Sequence, residues 1–249
     1  MKSVDAFISA LPKLISVLPS TVLLFIAIVI LSILLGLVLA AIRISKHKIA
    51  GSLVAVFVSF IRGTPLLIQI MIVYFGLRAI LINGFGIREA SRLDAAYFAF
   101  IAYGLNIGGF LSETFRGAYL AIDRGQIEAA QSVGMTRMQV FRRVILPQGA
   151  QIALPGMGNL MLDGFKALSL AFSIGVIEMM GRGQGIVNAT RGIGAIGTYA
   201  AVALVYWFIC FLMDKLFLFI EKSLAKDLRS REETTQTSKR KFRKVRCKK

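Results

Sequence analysis

One stretch of this 249-residue chain, Thr21–Ile42, runs for 22 residues without a charged side chain and is followed by Arg43. An α-helix needs about 20 predominantly apolar residues to cross the hydrocarbon core of a bilayer. The stretch is too long for the apolar part of a signal peptide, and its positive charge follows rather than precedes it. We therefore expect a membrane span that stays in the mature protein. The composition agrees, because 56% of the residues are hydrophobic and 17% are charged, against about 45–50% and about 25% in soluble domains.

Four further apolar stretches complete the predicted set of spans. They are Gly51–Leu77, Ala95–Ser112 with an extension toward Tyr119, a short stretch near Ala167–Met180, and Ile196–Ile220. The first is interrupted by Gly63-Thr64-Pro65, which fits either a kinked helix or a short interfacial helix that leads into a span from about Pro65. The sequence thus predicts an all-α integral membrane protein with about five transmembrane helices.

The formal net charge of +17 is concentrated at the C-terminus, where residues 222–249 hold 12 of the 30 Lys and Arg and three acids. Five spans place the termini on opposite sides of the membrane, and the side richer in Lys and Arg is the cytoplasm. An outside N-terminus puts 20 of the 30 basic residues inside. We expect an extracytoplasmic segment over 1–20, a transmembrane domain over 21–221 and a basic cytoplasmic tail over 222–249. The tail is expected to lie on anionic membrane lipid rather than on nucleic acid.

The chain offers few groups for catalysis or metal binding. His47 is its only histidine, and its two cysteines, Cys210 and Cys247, lie in an apolar run and in the basic tail. No Gly-Lys dipeptide occurs, so the phosphate-binding loop G-x-x-x-x-G-K-[ST] is absent. We expect no metal site, no cofactor bound by this chain and no enzymatic activity of its own.

The longest interruption of the apolar pattern, residues 113–159, is expected in the cytoplasm between the third and fourth spans. It is not a plain linker, because Ile127, Ala130 and Gly134 fall at i, i+3 and i+7, which is a helical spacing. Gly134 stands where the C-cap residue of a short helix would.

A second short helix is predicted directly after the first. Thr136 with Gln139 three residues later is typical of a capping box, and Pro147 is expected to end this helix. Two short helices at an angle form a compact knob rather than a stalk. Such a small helix is suited to lie in a groove of another protein.

The same loop resembles the EAA motif of ABC importer permeases. The resemblance rests on Glu128-Ala129-Ala130, three residues, Gly134, nine residues, Val144, one residue and Leu146-Pro147, and Val144 in place of the usual Ile is its sole departure. It implies that the loop carries the coupling helix that docks onto the ATPase subunit. The ATPase-coupling site would then comprise Glu128, Ala129, Ala130, Gly134, Leu146 and Pro147.

Further runs are similar to the polar amino-acid branch of these permeases, the importers of histidine, glutamine, arginine and cystine. They are Phe60–Gln69, Ser112–Gly117, Asp123–Ala130 and Leu146–Asn159. The resemblance implies a type I ABC importer-like permease subunit that crosses the bacterial inner membrane several times and translocates a polar amino acid. It also implies three kinds of partner: cytoplasmic ATPase subunits that bind ATP and Mg, an extracytoplasmic solute-binding protein, and a second permease subunit, identical or homologous.

The resemblance implies a substrate path near the start of the fourth span, with Lys166, Ser169 and Gln69 as candidates. Many members of the family have Leu-Lys-Asp-Thr-Ser-Leu where this chain has Phe165–Leu170, so Ala167 replaces an acid. The loss argues against a cationic solute, and the residues that follow look more like the cystine and sulfur-compound importers. Lys166 would meet a substrate carboxylate, because an ionisable group at membrane depth faces protein or a watery path. Alternatively, Lys166 snorkels to the interface or pairs with Asp163, and Gln69 only packs between helices.

Arg62 and Pro65 are predicted to act in gating or in structure. Arg62 could donate to carbonyls that Pro65 frees, could pair with Glu113 or Glu178, or could anchor the chain at the interface. A structural role is favoured over contact with substrate, because a proline in a span leaves backbone groups that need such donors.

Two other classes of protein stay open from the sequence. An ATP-independent secondary transporter or channel would show inverted repeats or rings of like charge, and residues 1–112 and 160–225 show no convincing repeat. A membrane-embedded enzyme would gather catalytic groups at one depth, for which a single histidine and scattered carboxylates offer little.

Overall fold

The computed structural model describes the backbone of residues 2–45 and 47–246, and side chains within 3–45 and 47–224. Every regular element in this part of the chain is helical. Nine α-helices are described there: α1 Lys2–Ile44, α2 Lys48–Gly63, α3 Leu66–Met71, α4 Ala95–Leu120, α5 Arg124–Ser132, α6 Arg137–Val140, α7 Leu146–Ala167, α8 Met179–Ala189 and α9 Ala195–Arg246.

Wider and tighter helical turns continue or join these helices. π-helical turns extend α3 over Ile72–Leu77 and Ile80–Gly84, and another, Phe141–Ile145, joins α6 to α7. Short 3₁₀ segments precede α4 at Arg88–Arg92 and follow α7 at Leu168–Ile174.

The predicted number of spans is confirmed. Four helical stretches are long and apolar enough to cross a membrane, and a fifth span results if a pair bent by 46° is counted as one. The four are Ser3–Ile44, Leu66–Gly84, Ala95–Leu120 and Ala195–Leu224, and the bent pair is Arg137–Ile174 with Met179–Ala189.

The fourth span differs from its prediction. We expected it near Ala167–Met180 and expected Pro147 to end the preceding helix, and both expectations are wrong, because the chain is helical without interruption over Arg137–Ile174. The π-helical turn Phe141–Ile145 ends just before Pro147. Proline has no amide N–H to donate, and the wide turn lets the helix continue without that hydrogen bond. The actual break comes later, where Gly175 adopts the left-handed conformation with φ of +92°.

The first two spans are also refined. α1 runs for 43 residues from Lys2, which is about 65 Å at 1.5 Å per residue, so helix already occupies the predicted N-terminal segment from Lys2 onward. Of the two arrangements predicted around Pro65, the structure has the short helix, α2, followed by a span from Leu66.

The chain divides into two compact units. One takes in the chain up to Arg116 together with Asn159–Leu212, and the other takes in Gly117–Gly158 and the chain from Met213 onward. The second unit contains α5 and α6, and within it Phe217 of α9 would lie 3.2 Å from a Cβ placed on Gly158 of α7.

The core of the first unit is built around α4, which carries glycines where α1 approaches. A Cβ at Gly104 would overlap Leu31 of α1, and one at Gly108 would lie 3.1 Å from the Leu35 Cβ. Small residues let helix backbones approach closely, which is how spans pack where lipid removes the hydrophobic driving force. The most apolar window of α4 is 61% buried, against 22% for α1 and 6% for α9, so α4 is the central span.

Candidate functional site

Helix α5 has a complete cap at each end. At its start the Asp123 carboxylate accepts the Gly125 N–H at 2.9 Å. At its end Gly134 adopts φ of +82°, its N–H donates to the Gln131 carbonyl at 2.9 Å, and the N–H of Met135 donates to the Ala130 carbonyl at 3.2 Å. This pair of bonds is a Schellman motif, which a left-handed glycine normally completes. The predicted role of Gly134 as the end of the helix is confirmed.

The capping box predicted for the second helix is confirmed as well. The Thr136 hydroxyl accepts the Gln139 N–H at 3.3 Å, and the Gln139 side-chain oxygen accepts the Thr136 N–H at 2.8 Å. Residues of the loop itself therefore cap both ends of α5 and the start of α6.

The predicted coupling residues fall into an exposed set and a supporting set. Glu128 and Ala129 are exposed on α5, while Ala130 is buried. Within the described chain, the Glu128 carboxylate has no hydrogen bond or ion pair. Two apolar side chains beside the turn, Val133 and Met138, are 78% and 64% exposed, so the knob presents small and apolar surface around one free carboxylate.

Leu146 and Pro147 lie at the start of α7, and Leu146 is half exposed. The first turn of α7 is tied to α5 by a hydrogen bond from the Gln148 side-chain amide to the Gln126 side-chain oxygen at 2.6 Å. The start of α7 is thus linked to α5 through Gln148, while a role of Leu146 and Pro147 in coupling stays a prediction.

The break between α2 and α3 is held by Gln69, which is 95% buried. Its side-chain nitrogen donates to the Ile61 carbonyl and to the Thr64 hydroxyl, each at 2.8 Å. Its side-chain oxygen accepts the Asn106 amide of α4 at 3.0 Å. The Gln69 amide is therefore occupied by protein groups, as in the packing alternative, and its place on the substrate path stays a prediction.

Arg62 is not seen to donate a hydrogen bond to the carbonyls at this break. Its guanidinium lies 5.7 Å from the Phe110 ring centroid, and Glu113 pairs with Arg43 and Arg116 instead. Pro65 sits just before α3 in an extended conformation, so it shapes the break while Gln69 satisfies the carbonyls there.

Helix α7 has one covered and one uncovered face. Met161, Phe165 and Leu168 are buried, and Phe165 makes an edge contact with Phe25 of α1 at 5.1 Å between ring centroids. The uncovered face carries Asn159, Asp163 and Lys166, which are all exposed.

Lys166 and Asp163 form an ion pair. The Lys166 Nζ lies 3.3 Å from an Asp163 carboxylate oxygen, and the two side chains are 59% and 73% exposed. Ser169 donates its hydroxyl to the Lys166 carbonyl at 2.8 Å. The structure thus brings the candidates Lys166 and Ser169 together and shows the pairing with Asp163 that the sequence left open.

A buried carboxylate that the sequence did not single out as a site holds the break after α7. Glu178 is 99% buried and caps α8, and its two oxygens accept the N–H groups of Met180 and Gly181 at 2.7 Å each. The Tyr206 hydroxyl of α9 also donates to Glu178, at 2.7 Å. The Tyr103 hydroxyl of α4 donates to the Ala167 carbonyl at 2.7 Å.

A second missed cluster joins α1 to α4. Glu113 pairs with Arg43 at the end of α1 and with Arg116 one turn further along α4, the latter at 2.9 Å. The i, i+3 spacing of Glu113 and Arg116 was a signal for half of this cluster, whereas Arg43 is distant in the chain. Over the described residues, no group of three His, Cys, Asp or Glu side chains could hold a metal ion.

Comparisons with known proteins agree on one family. The sequence profile of the binding-protein-dependent transport system inner membrane component matches residues 32–226. The probable amino-acid permease protein YxeN of Bacillus subtilis (strain 168) is 38% identical over 226 residues, which is 91% of this chain and 97% of that protein. The L-cystine transport system permease protein TcyL of the same organism is 37% identical over 216 residues, 87% of this chain and 89% of that protein.

A solved structure is similar over nearly the same length. A crystal structure of an amino acid ABC transporter with histidines superposes with a TM-score of 0.75 at 28% identity, covering 88% of this chain and 98% of that chain. The MetNI methionine ABC transporter, at 15% identity and a TM-score of 0.68, shares the fold.

Permeases of this family work with a separate ATPase subunit and with a second permease. Membership therefore favours an ABC importer over the secondary transporter or channel that the sequence left open. The chain belongs to the family of binding-protein-dependent transport system inner membrane components, and it is a multi-pass permease subunit of an ABC importer.

Proposed function

We propose that this permease translocates a polar α-amino acid across the bacterial inner membrane. The observation that carries the proposal is the uncovered Lys166–Asp163 pair on the bent helix pair that would form the fifth span. Charged groups within a span face a water-filled path or the interior of a helix bundle rather than lipid. A path for a zwitterionic solute needs such groups. Relatives described as amino-acid and cystine permeases support the same class of solute.

Within this class, a solute of the cystine and sulfur amino-acid branch is favoured. The Lys166 ammonium pairs with the Asp163 carboxylate, so that the pair carries no net charge, and Ala167 next to the lysine supplies no acid. A site of zero net charge suits a solute of zero net charge, such as L-cystine, better than arginine.

The coupling helix is proposed to be α5. Its exposed Glu128 and Ala129 would dock onto the cytoplasmic ATPase, with Val133 and Met138 at the edge of the contact. ATP and Mg would bind on that partner, because this chain lacks the phosphate-binding loop, and the chain itself would catalyse no reaction.

The N-terminus is proposed to lie outside and the C-terminus in the cytoplasm. A Cβ at Gly197 would overlap the Ser3 carbonyl oxygen, so the first turn of α1 lies beside the start of α9. The span Ala195–Leu224 then ends on the other side of the membrane, where the basic tail satisfies the positive-inside rule. Side chains from residue 225 onward lie outside the described part, and contact of the tail with lipid stays a prediction.

Two further partners complete the proposed assembly. An extracytoplasmic solute-binding protein would deliver the amino acid, as the name of the family suggests. A second permease subunit, identical or homologous, would cover the open face of α7 and complete the path.

The test of the solute class is uptake by proteoliposomes that contain the permease, its ATPase enclosed with ATP, and the cognate binding protein outside. The probes are the 20 proteinogenic L-amino acids and L-cystine, each radiolabelled. We expect ATP-dependent uptake of at least one of them, with L-cystine strongest, and none with a hydrolysis-dead ATPase. Uptake that survives the dead ATPase but stops when the proton gradient is dissipated would instead indicate a secondary transporter.

Gly134 offers a test of the docking assignment, because no described atom lies within 4 Å of a Cβ built there. We expect Gly134→Arg to abolish co-purification of the ATPase, since the added side chain would reach into the docking surface. Gly134→Asn is the matched control for backbone strain, because asparagine tolerates positive φ, and we expect it to keep most of the binding.

A second control is Gly86→Arg. Gly86 also has positive φ, +69°, and open space around its Cβ, but it lies on the side predicted to be extracytoplasmic. We expect this variant to bind the ATPase normally. If Gly134→Arg also retains the ATPase and uptake, the assignment of α5 as the coupling helix fails.

A further inference from the structure

The uncovered face of α7 presents one positive and one negative charge side by side. The Lys166 Nζ and one Asp163 oxygen are 3.3 Å apart, and both side chains are more than half exposed. Neither side chain has another hydrogen-bond or ion-pair partner within the described residues. The pair therefore retains free donors on the ammonium group and a free acceptor on the second carboxylate oxygen.

The helix that carries the pair is held firmly from behind. A Cβ at Gly164 would lie 2.7 Å from Ile107 of α4, so the backbones of α7 and α4 are in close approach. The Phe165 ring is buried and packs on Phe25 and Tyr206, with centroids 5.1 Å and 5.6 Å away. Groups presented by a packed helix hold a ligand more accurately than groups on a loop.

A purely structural ion pair would look different. Where this unit uses charge to join helices, Glu113 contacts two arginines and is 80% buried. Asp163 and Lys166 instead lie on the same helix, three residues apart, so their bond joins no two elements. Such an i, i+3 pair stabilises a helix only weakly, which is little reason to keep two charges on a stretch that would cross the membrane.

We propose that Asp163 and Lys166 together recognise the head group of an α-amino acid, with Asp163 binding the α-ammonium and Lys166 binding the α-carboxylate. The inference rests on the proposed function and adds Asp163 as a specificity-determining residue. In the empty site each charge neutralises the other, which avoids leaving either one unpaired. On binding, the zwitterion exchanges one ion pair for two, without changing the net charge of the site.

The arrangement selects against solutes that carry only one of the two charged groups of an amino acid. An amine without a carboxylate leaves Lys166 without its partner, and a carboxylic acid without an ammonium does the same to Asp163. Once a second permease subunit covers this face, as proposed above, an unpaired charge there is strongly unfavourable, so both classes are rejected. For L-cystine, the matching analogues are cystamine, which lacks the carboxylates, and 3,3′-dithiodipropionate, which lacks the ammonium groups.

The experiment measures equilibrium binding to the purified permease–ATPase complex. The probes are L-cystine or, if another amino acid leads the uptake panel, that amino acid, each with its decarboxylated amine and its deaminated acid. The wild type should bind the amino acid at least about 10-fold more tightly than either analogue. Asp163→Asn should weaken binding of the amino acid by about 10- to 100-fold, the loss expected for one charge-assisted hydrogen bond. It should not weaken binding of the deaminated acid, and is expected to strengthen it, because the acid no longer leaves a carboxylate unpaired. Lys166→Gln should weaken binding of the amino acid by a similar factor and should not weaken binding of the amine, which is expected to bind more tightly once the unpaired ammonium is gone.

Two variants guard against a trivial loss of structure. Asp163→Glu keeps the charge and should recover a measurable part of the affinity. Glu89→Gln removes an exposed carboxylate of the 3₁₀ segment and should change binding by less than about twofold. A loss in Asp163→Asn that is equal for the amino acid and both analogues, or no loss, would overturn the head-group assignment.

The same experiment separates this inference from the proposed function. If the wild type takes up an amino acid in an ATP-dependent manner but Asp163→Asn binds it normally, only the inference fails. If the wild type takes up no amino acid of the panel, the proposed solute class fails, and the inference falls with it.

Discussion

The first unit contains two kinds of charged groups, and their surroundings differ sharply. Glu113 and Glu178 are covered: the side chain of Glu113 is 20% exposed and Glu178 is 1% exposed. Asp163 and Lys166 are uncovered, at 73% and 59%. All four residues belong to one compact unit, so the difference lies in the immediate neighbours.

The covered carboxylates use their acceptor positions on protein donors. Glu178 accepts two backbone N–H groups and one hydroxyl, and Glu113 binds two arginines. A solute that took over one of these carboxylates would leave its present hydrogen-bond donors buried without an acceptor, which is costly. The uncovered pair satisfies one contact and leaves the rest open, which makes it available to a ligand. Four substitutions test this distinction, ordered by the expected loss of stability.

The largest effect is expected for Glu178→Ala. It leaves the N–H groups of Met180 and Gly181 and the Tyr206 hydroxyl without an acceptor in a buried site, and each such group costs about 1–3 kcal/mol. We expect the free energy of unfolding to fall by about 3 kcal/mol or more, seen as a lower apparent melting temperature of the detergent-solubilised complex. Glu178→Gln keeps one acceptor oxygen and should lose about half as much. An unchanged melting temperature in Glu178→Ala would show that this cap does not stabilise the break.

Glu113→Gln is expected to come second. It leaves Arg43 and Arg116 facing each other without the carboxylate between them, and breaking a well-buried pair costs about 3–5 kcal/mol. Because the side chains here are 20–31% exposed, we expect about 2 kcal/mol. The double variant with Arg43→Gln should recover part of the loss, since it removes the uncompensated charge. Strictly additive losses would argue against a direct interaction between Arg43 and Glu113.

A smaller loss is expected for Tyr206→Phe. It removes one of the three hydrogen bonds to Glu178 and leaves the two backbone bonds, so about 1 kcal/mol is expected. The matched control is Tyr97→Phe, which removes a hydroxyl from a side chain that is 62% exposed. Equal shifts in the melting temperature for the two variants would contradict a specific role of the Tyr206 hydroxyl.

The smallest effect on stability is expected for Asp163→Asn. The pair is exposed and joins two residues of one helix, so its loss should cost less than about 0.5 kcal/mol. Binding of the amino acid should nevertheless fall as described above. A drop in melting temperature as large as that of Glu113→Gln would remove the contrast between the two kinds of charge and would place Asp163 among the structural groups.

Part of this arrangement could be predicted from the sequence. The caps of α5 and α6 were predicted at Gly134 and at Thr136 with Gln139, because caps are formed by residues within a few positions of each other. The number of spans followed from long apolar runs. The motif around Glu128 identified the family, and sequence and structure comparisons agree with it.

Other features were not predictable in this way. Pro147 was expected to end a helix, and only the π-helical turn before it explains why the helix continues. Donation at the Pro65 break was one of the predicted roles of Arg62, but the donor is Gln69, which also accepts a hydrogen bond from Asn106, 37 positions away. The side chain that donates a hydrogen bond to a freed carbonyl is decided by the path of the chain after the break. The residues of the break alone do not predict that path.

Local chemistry along the chain therefore defines the spans, the caps of α5 and the family. The tertiary structure alone separates the covered carboxylates from the uncovered pair. Glu178 and Tyr206 are 28 positions apart and meet only because α9 packs beside the break, whereas the side chains of Asp163 and Lys166 have only each other as hydrogen-bond or ion-pair partner among the described residues. Exposure of a charge depends on what packs over it, and packing is decided by residues that are far apart in the chain.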